Sequence, residues 1–393
     1  MNVKSYPTQL LKEKNEVRLN YFHNYIAVHP AMQAAEQALY EGTSGLLEQR
    51  LILLLGAAGV GKTELLKQFI QKHILFRTEE MKTDLQRVPG LFVELEAPAT
   101  GSFTFVPFYK EALARVGSVL PGKTLGSINR LAGKSVLKTV HVESAGRKAS
   151  GEDFKVRFTE TLVDRQVEIC GLDEAVNAFK TASSLTEEQR DRAVTDQANR
   201  IKSLVNKSAT TFVLVGAFDF YQLTVGTAQL ARRSQIVHLK PYSDSAKDLE
   251  GFLIAFTDLL AHLPAVHEID PTLHASELFL QSLGCVGHLK NILKTALNKA
   301  LLRNQMIDIK LVRQCFFSAP ALIKMKTEQN EGIAALDFFL SLEELAEEGI
   351  YPSSDFQRVA NTHAKVKGKS ALKPGETKPS NRRAAADAWE STK

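Results

Sequence analysis

Residues 53–69 read LLLGAAGVGKTELLKQF. The leucines close an apolar run, RLILLL over 50–55, of the kind expected for a central parallel strand buried on both faces. The next eight residues, Gly56 to Thr63, match G-x-x-x-x-G-K-[ST] in full. Gly56, Gly59 and Gly61 let the backbone turn tightly, so that its N–H groups converge on phosphate oxygens. A helix starting at Thr63 adds its positive end to the same point. Lys62 is placed to neutralise the β- and γ-phosphates and the Thr63 hydroxyl to ligate Mg²⁺. Glu64, in the first helical turn, is a further cofactor-binding candidate. The cofactors expected are ATP and Mg²⁺.

Four more segments read as strands: GLFVELEAP (90–98), RQVEICGLDEA (165–175), TTFVLVGA (210–217) and SQIVHLKPY (234–242). Helical stretches separate them, and this alternation predicts a doubly wound α/β sheet. RQVEICGLDEA carries Asp173 and Glu174 at its end. Asp173 is the candidate for holding Mg²⁺, directly or through water, and Glu174 for orienting and deprotonating the attacking water. Glu168, inside that strand, must lie at a solvent end or partner a basic residue. Where many P-loop ATPases close the next strand with a polar residue, this chain has Ala217, and Asp219 nearby would repel a γ-phosphate. No sensor is assigned there. LARRSQIVHL (230–239) sets Arg232 and Arg233 at a helix end before a strand. In ring or filament ATPases that position reaches the next subunit's γ-phosphate. The alternative use is to satisfy the helix's own dipole.

The 393-residue chain has room for two or three domains, and 44% hydrophobic with 24% charged residues marks an ordinary globular composition. No apolar run reaches the roughly 18 residues of a membrane span. The first residues are polar and charged, without the apolar region of a signal peptide. Cys170, Cys285 and Cys315 lie far apart, without metal-ligand spacing, in apolar contexts, and read as buried free thiols of a reducing cytoplasm. The net charge is +5, but its placement is uneven. Residues 353–393 carry a net +5, and so does 122–157, so the remainder is slightly acidic. Two basic zones on such a body point to a polyanionic partner. A solvated loop and tail would carry the same charges.

Residues 1–49 read as a helical extension, with Gly42 suited to a helix C-cap. Residues 50–242 form the α/β nucleotide-binding core, with the basic stretch at about 122–157 as an insertion; ESAGRKASGED (143–153) reads as an exposed loop or hairpin tip. Residues 243–318 form a small all-helical domain. In 319–393, one amphipathic helix at 332–349 precedes a basic tail without periodicity, expected to be disordered, in which RRAAADAWE presents Trp389.

The order GAAGVGKTELL, ICGLDEAVNAF, LVGAFDFYQL with QLARR, then LKPYSDSAKDLEGFLIAF and LGCVGHLKNILKTAL, resembles the AAA+ ATPases of transposition. The TnsC/TniB group is nearest, with MuB and IstB more distant, and the likeness covers roughly residues 20–310. It implies a P-loop AAA+ doubly wound parallel sheet with a small C-terminal helical lid. It also implies a protein that binds ATP and polymerises as a ring or filament on double-stranded DNA. Such proteins link a target-selection factor to transposase subunits and disassemble on hydrolysis, in the prokaryotic cytoplasm and at the nucleoid when bound. Some belong to transposons that have taken up CRISPR effectors. In this family DNA is contacted by loops after the second strand. Here that implicates Lys123, Arg130, Lys134, Lys138, Arg147 and Lys148 in phosphate contacts. The chain departs from the pattern at Ala217, and at Gly287, where a sensor arginine is expected. His288 and Lys290 are the candidate substitutes, which adds Lys290, far downstream, to the cofactor-binding candidates. Weak sensors imply slow, regulatory hydrolysis. Two other readings are a signalling or defence NTPase of the STAND type without DNA binding, and a clamp or helicase loader.

Overall fold

Why do five short apolar runs make one sheet? The runs at 51–55, 169–173 and 211–216 are buried throughout, too hydrophobic to face water on either side, and those at 90–94 and 234–238 flank them as partly exposed edges. In the computed structural model, which describes residues 5–45, 50–98, 101–117, 149–218, 220–221 and 234–337, they pair in parallel. The strands are β1 (Leu51–Leu55), β2 (Gly90–Glu94), β3 (Ile169–Asp173), β4 (Thr211–Gly216) and β5 (Ser234–His238), in the order β2-β3-β4-β1-β5. The register pairs Leu55 with Gly216 and His238, and Asp173 with Glu94. Every residue of β1 is at most 1% exposed.

Successive β1 residues feed opposite layers, as strand geometry demands. Leu51, Leu53 and Leu55 pack with Phe108 of α5 (Phe105–Arg115), Phe158 of α6 (Gly151–Asp164) and Ile201 of α7 (Glu187–Lys207). Ile52 and Leu54 pack with Leu39 of α2 (Pro30–Thr43) and Phe69 of α3 (Lys62–Phe76). A third cluster belongs to the helices after β5: α8 (Ala246–Ala261), α9 (Pro271–Ser282), α10 (Val286–Arg303) and α11 (Ile309–Arg313). It also takes in Phe22 of α1 (Asn15–Asn24). The Tyr25 hydroxyl donates to Asp258 at 2.6 Å, and the Tyr25 ring stacks on His262 with centroids 3.8 Å apart. Thus the N-terminal segment straddles the molecule: α1 packs on the helical layer and α2 on the sheet.

The short α4 (Thr78–Thr83) follows α3, and α12 (Ala319–Asp337) follows α11. Residues 1–336 form one compact unit; the second, 337–393, lies outside the described residues beyond Asp337. No helix among the described residues is long and apolar enough to cross a membrane.

Local expectations shift in four places. Gly42 is not a cap: α2 runs through it to Thr43, and a Cβ on Gly42 would fall 2.5 Å from Gln235 Oε1. Close approach to β5 is what requires glycine there. The end of the basic stretch is helical, because Ser150 caps α6 in a capping box with Asp153. Lys155 and Arg157 therefore sit on a helix beside Glu152 and Glu160. A helix begins at Ala319, ahead of the one expected at 332–349, since residues 321–331 are rich in strong helix formers; of the expected span, 338–349 lies outside the described residues. Of the thiols, Cys170 and Cys285 are buried and Cys315 is half-buried.

Candidate nucleotide site

The site forms where the chain leaves β1. The backbone turns through Gly59 at φ 73° and Gly61 at φ 108°, left-handed conformations that a side chain would strain. Gly61 is the N-cap of α3, and the Leu65 N–H donates to its carbonyl at 2.9 Å. The first-turn N–H groups of a helix have no partner within it. Here they gather above Gly59–Thr63, with Thr63 and Glu64 in that turn. Lys62 Nζ folds back over the loop, donating to Gly56 O at 2.9 Å and Ala57 O at 2.8 Å. Those are carbonyls it must release to reach a phosphate.

One strand separates β1 from β3, so the loop and Asp173 stand two inter-strand steps apart, about 10 Å. Asp173 ends β3 and is 3% exposed. Its Oδ1 accepts the Glu174 N–H at 3.0 Å, its one side-chain hydrogen bond among the described residues. Glu174 is exposed and holds a left-handed backbone, φ 52° and ψ 41°, uncommon for a non-glycine residue. This conformation turns the chain sharply just after the buried acid. Glu94, paired in register with Asp173, adds a second carboxylate to the same edge. Its run, GLFVE, also ends in an acid, the same signal that marks Asp173.

These residues suit a magnesium nucleotide. Mg²⁺ is held by one or two carboxylates with the rest of its shell from phosphates and water, not by an all-protein cage. A buried Asp173 with a carboxylate oxygen to spare, and no cluster of three metal-ligating side chains among the described residues, fits that usage.

The helical layer closes on the loop through α10. A Cβ on Gly287 would fall 2.3 Å from Gly59 O, so the helix N-terminus approaches as closely as glycine allows. A Cβ on Gly59 would meet the His288 ring at 2.1 Å. His288 Nδ1 lies 3.2 Å from Ser282 O, which makes Nδ1 the protonated nitrogen of the neutral ring. Burial, with Lys62 nearby, pushes the His288 pKa below its ordinary value, so the ring is neutral at pH 7. Lys290 is placed differently: Nζ donates to His23 O at 2.7 Å, with Glu64 as its closest acidic influence. Burial lowers its pKa, against the pull of Glu64.

Glu168 resolves into a structural role at the opposite end of β3. It accepts from Arg87, from Arg77 at 2.9 Å and from His73 at 2.9 Å. Burial raises its pKa, but the hydrogen bonds from Arg87 and Arg77 outweigh that, and the carboxyl ends below its usual range. Ala217 closes β4 without a polar side chain, as expected. Arg232, Arg233, Asp219, Lys123, Arg130, Lys134, Lys138, Arg147, Lys148 and Trp389 lie outside the described residues.

The sheet order, phosphate loop and strand-end acid define the P-loop fold of the AAA+ class, with a helical C-terminal region. Residues 46–223 match the family model of an AAA domain. No curated protein matches the sequence. Among solved structures, the chain is similar to the Walker-type ATPase PABY2304 of Pyrococcus abyssi at 17% identity and TM-score 0.44, covering 84% of this chain and 87% of that one. It is similar to the ORC2 protein of Aeropyrum pernix in ADPNP–ADP complexes at 16% identity and TM-score 0.46, covering 91% and 86%. The ORC1 protein of Aeropyrum pernix in complex with DNA gives 16% identity and TM-score 0.43, covering 96% and 86%.

Proposed function

We propose that this chain is a Mg²⁺-dependent ATPase of slow turnover. It assembles as a homo-oligomeric ring or filament on duplex DNA, links a target-selection factor to transposase subunits, and disassembles on hydrolysis. The observation that carries the nucleotide part is one sheet edge holding the phosphate loop, buried Asp173 and exposed Glu174. The transposition role rests on the motif order in the sequence.

Bound at Thr63 and Asp173, Mg²⁺ would supply charge neutralisation of the phosphate oxygens. Lys62 leaves the Gly56 and Ala57 carbonyls to pair with the β- and γ-phosphates. Glu174 accepts the proton of the attacking water. Arg232 or Arg233 of a neighbouring copy stabilises the charge that develops, which would make hydrolysis depend on assembly. Ala217 offers no hydrogen bond to the water and neutral His288 no positive charge. Both favour a timer over a motor. Lys123, Arg130, Lys134, Lys138, Arg147 and Lys148 contact the duplex backbone, so binding weakens steeply with salt and reads little sequence.

Electron microscopy of the full chain with duplex DNA, with and without a non-hydrolysable ATP analogue, tests this reading. Analogue-dependent rings or filaments on DNA are expected, and charge reversal at Lys134, Lys138, Arg147 and Lys148 should abolish them. Analogue-dependent oligomers indifferent to DNA would favour the STAND-type reading.

A further inference from the structure

One feature of the crevice has no part in that scheme. The helix α12 follows Phe316 and Phe317, which pack on the helical layer, and runs to the sheet core, where Leu336 packs on the β1 and β3 cluster. Its inward stripe is Leu322, Met325, Gln329, Gly332, Ile333 and Leu336, all buried or half-buried. Gln329 is 5% exposed and donates from Nε2 to Leu283 O at 3.2 Å, just before α10. A Cβ on Gly332 would fall 2.0 Å from the Phe218 ring, so the backbone of α12 rests on the residue after Ala217. Between α12 and the phosphate loop lies a cavity of about 350 Å³, with Ala57, Ala58, Ala217 and His288 on one side and Glu328 and Glu331 on the other.

We propose that α12 is an autoinhibitory strap, and that Glu328 and Glu331 make the site discriminate against a nucleoside triphosphate in favour of a diphosphate. This rests on the nucleotide reading above. The cavity adjoins the loop carbonyls that hold Lys62 and the β4 end, where a terminal phosphate is read. A third phosphate places its extra negative charge toward the two glutamates, which line the cavity from its solvent-exposed side. Lys62 is the cation on the loop side, held at the Gly56 and Ala57 carbonyls; on the α12 side the compensating charges are modest. Lys324 reaches Glu328 only at 4.0 Å on an exposed face, Lys326 acts on the Cys285 side, and His288 is neutral. Seating a triphosphate therefore requires α12 to lift. The seat is weak enough to yield: one buried amide hydrogen bond, one glycine contact and half-buried aliphatic side chains.

The test uses the full chain with Mg²⁺, titrated with a fluorescent ADP and a fluorescent non-hydrolysable ATP analogue. Hydrogen exchange over residues 319–336 is followed alongside. The double variant Glu328→Gln, Glu331→Gln should bind the ATP analogue about tenfold tighter and ADP less than about threefold tighter. Gly332→Leu, which drives a side chain into Phe218 without changing charge, should shift binding in the same direction. In the wild type the ATP analogue, and not ADP, should raise exchange across α12. Weaker analogue binding by the double variant would overturn the proposal and assign the glutamates to the cation. Wild-type ADP and analogue binding of equal strength, with unchanged α12 exchange, would also overturn it. Failure of every form to bind either nucleotide would remove the nucleotide reading, and the strap with it.

Discussion

The two ends of β3 carry acids five residues apart, and the fold treats them in opposite ways. Glu168, at the N-terminal end, is surrounded by Arg87, Arg77 and His73, with Glu80 bridging the same arginines. Asp173, at the C-terminal end, is more deeply buried yet accepts one backbone N–H. A satisfied acid is architecture: its partners came from α3 and the loop before β2 to hold it. A buried acid with acceptor capacity to spare beside a phosphate loop is held ready for a ligand. The contrast also follows the sheet, since ligands of parallel α/β sheets bind beyond the carboxyl ends of the strands.

Substitutions at the two ends should therefore separate chemistry from stability. The largest effect belongs to Glu174→Gln. Steady-state phosphate release should fall by about 10²- to 10⁴-fold, while the affinity for the ATP analogue stays within about threefold. Lys62→Ala follows, weakening that affinity by about a hundredfold in equilibrium titration, since it removes the loop's only side-chain cation. Glu168→Gln should cost about 1–3 kcal/mol in denaturant unfolding, because it leaves the Arg77 and Arg87 guanidinium groups facing a neutral amide. Nucleotide affinity should not change. Asp173→Asn should do the reverse, altering stability by less than about 1 kcal/mol while abolishing the Mg²⁺ dependence of nucleotide binding. If Asp173→Asn proved the more destabilising of the two, the contrast would be wrong.

A pH series sharpens the same point. Glu168 titrates lower in the folded chain than in the unfolded one. Its contribution is then complete above the unfolded carboxylate pKa and is lost as pH falls through the folded value. Thermal unfolding of the wild type should drop on acidification within that window, and Glu168→Gln should flatten the drop.

Much of this was legible in the chain. The central strands declared themselves as continuous apolar runs because they are buried on both faces, and Asp173 was found because such a run ended in an acid. Glu168 could not be resolved locally, since its partners lie between 81 and 95 residues away. The misreading of Gly42 has the same origin: a glycine near a helix end suits a cap, and only the approach of Gln235 shows another reason for it. The first part of α12, 319–331, escaped because Gln329 and Gly332 stand at two of the helix's most buried positions and interrupt the apolar period. The approach of α10 to Gly59 was hidden likewise, being a contact between two distant glycines rather than a pattern along either segment.

The central claim is that the carboxyl edge of the sheet is a magnesium-nucleotide site. Equilibrium titration of the full chain with a fluorescent non-hydrolysable ATP analogue, with Mg²⁺ and with EDTA, tests it most directly. The account predicts saturable one-site binding that is strengthened by Mg²⁺, loses that strengthening in Asp173→Asn, and is about a hundredfold weaker in Lys62→Ala. Binding of equal strength in the wild type and Lys62→Ala, or no binding at millimolar analogue, would contradict it.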